Sequence, residues 1–265
     1  MPLPSLRKKF KKRIKMNISK ETIIGAIVAE DYRTAGVFEQ AGIDFCCNGG
    51  RTVEVACRES QVAAESLVMQ LQQVMDASPR EEDPGRDYNS WPLDLLADFI
   101  EKKHHRYVSV QTPLIQAFLD KIVRVHGGRH RELAEIKMHF DACAGELAVH
   151  MKKEELLLFP YIRKMVQAGE RGGEPVSAPF GTVGQPIQAM MQEHDAEGAR
   201  FRRIRKLSGG YAVPEDACNT YRAAFAALQE FEGDLHLHIH LENNILFPRA
   251  LELEQRLSGK KDERR

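Results

Sequence analysis

The chain has 265 residues and no net formal charge at neutral pH. That balance gives no global attraction to nucleic acid or to an acidic membrane surface, and no apolar stretch reaches the length of a membrane span. With 43% hydrophobic and 29% charged residues, the composition is that of an ordinary soluble protein with core enough for one large domain and a smaller one.

The first segment, 1–16, is a basic leader carrying Arg7, Lys8, Lys9, Lys11, Lys12, Arg13 and Lys15. No apolar signal-peptide core follows it, and the expectation is a disordered arm. Residues 17–75 read as a small helical domain. Ser19 followed by Glu21 and Thr22 suggests a helix start, and Ile23, Ile24, Ile27 and Val28 form an apolar stripe. Val53 to Val74 reads as one or two further helices. Residues 76–90 are rich in Pro, charge and turn formers and read as a flexible linker.

Four long helical segments follow over 91–258, ahead of a charged tail at 259–265. The first runs from Pro92 to Val125, with Pro113 expected to kink or split it. The second runs from Arg131 to Gln167. A Gly- and Pro-rich crossover then leads to the third, Pro186 to Leu207. The fourth runs from Glu215 to Leu257, with a disturbance expected at Pro248. Strand patterns are scarce, so the fold class is all-α: a four-helix bundle preceded by a small helical domain.

The bundle carries a repeat. His150-x3-Glu154 followed by Leu158-Phe159-Pro160 returns as His238-x3-Glu242 followed by Leu246-Phe247-Pro248. A histidine precedes each copy, His105 lying 45 residues before His150 and His194 lying 44 before His238. Residues four apart share one helix face, so each His–Glu pair projects together. Two half-sites facing each other would offer four imidazoles and two carboxylates to a pair of metal ions. Related by a pseudo-two-fold axis, each metal would take two imidazoles while Glu154 and Glu242 bridge both. Mixed imidazole and carboxylate ligation suits iron, manganese, zinc or cobalt. Six protein ligands for two metals would leave open positions for chemistry or small ligands. Neighbouring residues compete. Glu155 points about 100° away from Glu154, and its counterpart in the second copy is Asn243. His240 lies nearly opposite Glu242. His104 competes with His105, and the matched spacing favours His105.

The five cysteines are Cys46, Cys47, Cys57, Cys143 and Cys218. An odd number in a chain this long implies no disulfide framework and fits a reducing cytoplasm. Cys46 and Cys47 are adjacent and precede Asn48-Gly49-Gly50, which places two thiols at a tight turn. Vicinal cysteines rarely pair with each other, so the sharper reading is a reactive or metal-directed pair.

Together, Asp44-Phe45-Cys46-Cys47-Asn48-Gly49-Gly50 and the two His-x3-Glu-x4-Phe-Pro motifs resemble the repair-of-iron-centres family over about 17–254. These are hemerythrin-like di-iron proteins tied to iron–sulfur cluster repair. The resemblance implies a non-haem di-iron centre held by His105, His150, His194 and His238 and bridged by Glu154 and Glu242. It implies repair of clusters damaged by nitric oxide or oxidants, by iron supply, nitric oxide reduction or both. Cys46 and Cys47 would act as accessory thiols. The implied partners are damaged iron–sulfur proteins, with nitric oxide or oxygen as small ligands. Neither nucleic acid nor a membrane is expected, and a homodimer is compatible. The competing function is a non-catalytic hemerythrin-like carrier or sensor of oxygen or nitric oxide. One departure is Asn48, where the family commonly has Gly; Asn tolerates the left-handed backbone that such a turn would need.

Overall fold

The structure, a computed structural model, describes residues 16–77, 87–172, 176–177 and 179–259. The basic leader up to Lys15, most of the linker and the charged tail after Gly259 lie outside the described residues.

The N-terminal unit holds four short helices: α1 (Ile24–Glu30), α2 (Ala35–Gln40), α3 (Val53–Ser60) and α4 (Ala64–Asp76). Ser19 does not cap α1. It forms a turn with Thr22, and α1 starts at Ile24 without a side-chain cap. The Val53–Val74 stretch is two helices. Thr52 caps α3 through its hydroxyl, and Gln61 ends it in the left-handed conformation at φ 56°.

The bundle is built from four long runs. The first joins α5 (Leu93–Phe99) to α6 (Arg106–His126) through a π-helical turn, Ile100–His105. The second joins α7 (Glu132–Lys153) to α8 (Phe159–Glu170) through another, Glu154–Leu158. The third is α9 (Gly184–Leu207). The fourth joins α10 (Asn219–Leu241) to α11 (Phe247–Gly259) through Glu242–Leu246. α7 packs on α6 and α9, and α6 packs on α10. The expected break at Pro113 does not occur: α6 runs through it. The disturbances fall at the π turns instead. Pro160 and Pro248 lack the N–H that would bond the carbonyl four residues back. The freed register widens to i→i+5 just upstream of each proline.

The apolar side chains form two cores. One joins the N-terminal unit to one half of the bundle, with Phe38, Phe45 and Leu71 in the same cluster as Phe140, Phe201 and Phe231. The other fills the opposite half around Ile100, Phe159, Ile187 and Phe247. Along each of the first three runs a candidate ligand falls between the two. His105 lies between Ile100 and Val108, Glu154 between Met151 and Leu158, and His194 between Met190 and Phe201. The centre is thus a polar layer sealed between two apolar plugs.

Candidate metal centre

The helix spacing does what the repeat requires. His150 and Glu154 face each other at 3.3 Å, and His238 and Glu242 at 3.1 Å. The other runs bring His105 Nε2 to 3.3 Å from Glu154 and His194 Nε2 to 3.2 Å from Glu242. Two sets of potential ligand atoms result: His105, Glu154, His238 and Glu242, and His150, Glu154, His194 and Glu242. Both carboxylates belong to both sets. Each set also draws one imidazole from each sequence repeat, as a pseudo-two-fold axis through the layer requires.

All six residues are buried, and Glu154 and Glu242 have no exposure at all. Both oxygens of Glu154, one oxygen of Glu242 and His105 Nε2 have no hydrogen-bond partner of regular geometry. Two buried carboxylates with unsatisfied lone pairs cost several kcal/mol unless a cation answers them. That donor set, gathered in one buried layer, fits a pair of metal ions. With protons alone to balance it, the site is strongly polarised. Burial and the Glu242 charge work to raise Glu154, yet the imidazoles of His150 and His105 hold it below the usual carboxylate range. Glu242 is held well below that range, against burial, by His238 and His194. Burial disfavours protonated His150, but Glu154, Glu242 and Glu193 push it up to about 10. At His238 burial, joined by the charges of His105 and His104, outweighs Glu242 and keeps it below its ordinary value. Metal entry therefore displaces protons.

The ring nitrogens facing away from the centre meet Glu155 and Asn243, which sequence reasoning set aside, and Glu193, which it did not consider. His105 Nδ1 meets Glu155 at 3.1 Å, His150 Nδ1 meets Glu193 at 2.8 Å, and His194 Nδ1 meets Asn243 at 2.9 Å. Glu155 and Asn243 occupy matched positions of the repeat and do matched jobs. That both are polar, one residue past the shared Glu, was the available sign. Among the described residues His238 Nδ1 has no such partner. Its counterpart by symmetry would be His104, the residue before His105 as Glu193 precedes His194. His104 instead stacks on His238 at 5.6 Å and turns its Nδ1 to Asp234 at 3.0 Å. His105 thus sits in the ligand layer and His104 behind it. His240 faces the N-terminal unit, against Tyr32 and Phe45.

Cys46 and Cys47 lie against this centre. Cys47 Sγ is 3.3 Å from the backbone oxygen of His194, and Asn243 donates to the Cys46 carbonyl at 3.2 Å. Asn243 therefore touches both the thiol turn and a candidate ligand. Gly198 makes the approach feasible: a Cβ there would stand 2.8 Å from Cys47 Sγ. Asp44 organises the turn, accepting from the amides of Cys46 and Cys47 at 3.1 and 3.0 Å and pairing with Arg202 at 2.8 Å. Asp44, Cys46 and Cys47 form a third group of potential ligands. Asn48 does not use the left-handed backbone expected of it. Its side chain bonds Asp44 at 2.9 Å instead, so no glycine is needed there. The Cys46 thiol is raised well above its ordinary value by the neighbouring Cys47, by burial and by Asp44.

Residues 96–250 match the hemerythrin HHE cation binding domain. The chain belongs to this family. Residues 20–75, which carry the thiol turn, match a domain of unknown function, DUF542. The chain is 34% identical over 228 residues to the iron-sulfur cluster repair protein YtfE of Yersinia pseudotuberculosis serotype O:1b (strain IP 31758). It matches the protein of the same name from Yersinia pestis (strain Pestoides F) to the same extent. Each alignment spans 86% of this chain and 96% of the relative. The HHE bundle and the DUF542 unit thus occur in this chain together, in a family whose members include iron–sulfur cluster repair proteins.

Proposed function

We propose that this chain repairs iron–sulfur clusters damaged by nitric oxide or oxidants, using a non-haem di-iron centre bridged by Glu154 and Glu242. The observation that carries the reading is the sharing of both buried carboxylates by two imidazole pairs, with a pair of thiols beside His194. Open coordination positions at such a centre would supply redox chemistry toward nitric oxide or iron for delivery. The names of the relatives support repair over simple gas carriage. So do the thiols, which a carrier has no need of.

The chain's own residues divide the work. His105, His150, His194 and His238 hold the two ions, and Glu155, Glu193 and Asn243 fix three of the rings. Asp44, Cys46 and Cys47 offer a third set of donors next to His194, suited to receive iron on its way out. Among the described residues no helix is long and apolar enough to cross a membrane. The partners are damaged iron–sulfur proteins in the cytoplasm.

Metal analysis with an optical spectrum tests the centre: two irons per chain are expected, and one metal or zinc alone would overturn it. A mixed assay tests repair. The Cys46→Ser, Cys47→Ser double variant keeps its iron but fails to restore a damaged iron–sulfur enzyme. Full restoration by that variant would remove the thiols from the scheme.

A further inference from the structure

The three π turns are not alike. Glu154–Leu158 and Glu242–Leu246 each end two residues ahead of a proline, Pro160 and Pro248. Two residues past Ile100–His105 stands Tyr107 instead. The proline of that run is Pro113, which sits inside regular α6. The first run thus has a π turn without a proline and a proline without a π turn. By the pattern of the other two runs, its wide turn belongs at 107–111. The helix is already weakened there. Pro113 gives no N–H to the carbonyl of Ser109. The Ser109 hydroxyl turns back to the His105 carbonyl at 2.8 Å, a bond that competes with the helix ladder.

Beside the present turn stands an imidazole with nothing to bind. His104 is completely buried. Its Nδ1 lies 3.0 Å from both oxygens of Asp234, which places the ring proton there and leaves Nε2 a bare lone pair. Nε2 has no partner among the described residues. A ring held by a carboxylate at one nitrogen and bare at the other is the form in which proteins present histidine to a metal. His104 nevertheless belongs to neither set of potential ligand atoms at the centre. It lies parallel to His238, with centroids 5.6 Å apart and planes 11° apart.

A π turn holds one residue more than the α turn it replaces. Residues on its N-terminal side therefore sit one helical position further along than their numbers imply. With the turn at 107–111 and the rest of α6 unmoved, His104 occupies the place that His105 now holds. His105 passes to the place of Arg106, which is exposed.

We propose that the π turn of the first run moves between Ile100–His105 and 107–111, exchanging His104 for His105 as the ligand that shares an ion with His238. The exchange rests on the di-iron reading above and names how one of its ions is released. Each passage withdraws one imidazole and offers another, while Glu154, Glu242 and the remaining imidazoles stay in place. The ligand is a first-row divalent cation, iron(II), which suits imidazole with carboxylate.

The test is the number of irons held by the full-length chain and its variants after anaerobic loading and gel filtration. His105→Ala should still hold two, because His104 takes over. The His104→Ala, His105→Ala double variant should hold one. His150→Ala should also hold one, because its neighbours Val149 and Met151 offer no imidazole. Pro113→Ala restores the missing N–H and removes the resting place of the turn. By itself it should keep two irons; in the His105→Ala background it should reduce them to one. Two irons in the parent and one in His105→Ala would overturn the exchange and leave the di-iron centre standing. Two irons in the His105→Ala, Pro113→Ala variant would overturn it as well, because His104 would then need no moving turn. Fewer than two in the parent would overturn both readings.

Discussion

Four imidazoles turn Nε2 toward the centre, but only three are held from behind. Partners behind a metal-bound imidazole are worth about 10- to 100-fold in metal affinity. Glu155→Ala and Glu193→Ala should therefore each weaken metal binding by about that factor, read by competition with a chelator. The bare Nδ1 of His238 makes the two metal positions unequal. The ion at His105 and His238 should leave first, so timed chelation should show two phases of iron loss. A single phase would mean that His104 stacking replaces the missing bond. Glu197, one turn beyond His194, is a different kind of buried acid. Burial pushes it up to about 7, and neither oxygen has a regular partner. A carboxyl raised in the folded state stabilises most below about pH 4.5, and that contribution is lost as pH rises through 7. Glu197→Gln should therefore be more stable than the parent at pH 8, by up to about 3 kcal/mol, and near parity at pH 5. Urea denaturation at the two pH values checks the sign. The six inward residues were legible because two copies of one spacing reinforced each other. Glu193 and Asp234 were not, because nothing in a single copy of a sequence ties a residue on one helix to a ring on another.

Two of the three irregularities in the long helices trace to proline. The run from Glu154 to Leu158 and its repeat from Glu242 to Leu246 are both π turns ahead of Leu-Phe-Pro's proline. Periodicity alone would carry the α register through these stretches, so the sequence pattern pointed to a disturbance but not to its form. π turns often mark functional sites, and here two begin at the shared glutamates while the third ends at His105. The turn at Glu242–Leu246 also receives the N-terminal unit. Asn244 donates to the Phe45 carbonyl at 3.1 Å, and a Cβ on Gly25 would stand 2.3 Å from its side-chain oxygen. Gly25→Ala must therefore displace the Asn244 side chain from its bond to Phe45 or push α1 away from the bundle. Overpacking of this kind costs typically 1–3 kcal/mol. We expect a lower denaturation midpoint, faster labelling of Cys46 and unchanged metal content. A loss of iron instead would show that the unit helps hold the ligand layer in register.

At the scale of the whole molecule, composition and helical periodicity were enough for an all-α bundle and for the order of its runs. How the thiol turn meets the bundle was not readable, because docking depends on surfaces that only the folded elements create. Phe45 is buried beside His236 and His240. One apolar cluster runs from Ile18 in the N-terminal unit to Ile239 in α10. Parts that share a core should lose it together. Trp91 packs against the second core and reports the bundle by fluorescence, and labelling of Cys46, buried in the shared core, reports the N-terminal unit. The two probes should follow one transition in urea. If the N-terminal unit opens on its own, Cys46 will label at urea concentrations where Trp91 fluorescence is still native. That outcome would make the thiols mobile carriers that leave the centre to deliver iron. Coincident transitions would instead keep them at His194, so the damaged partner must come to the centre.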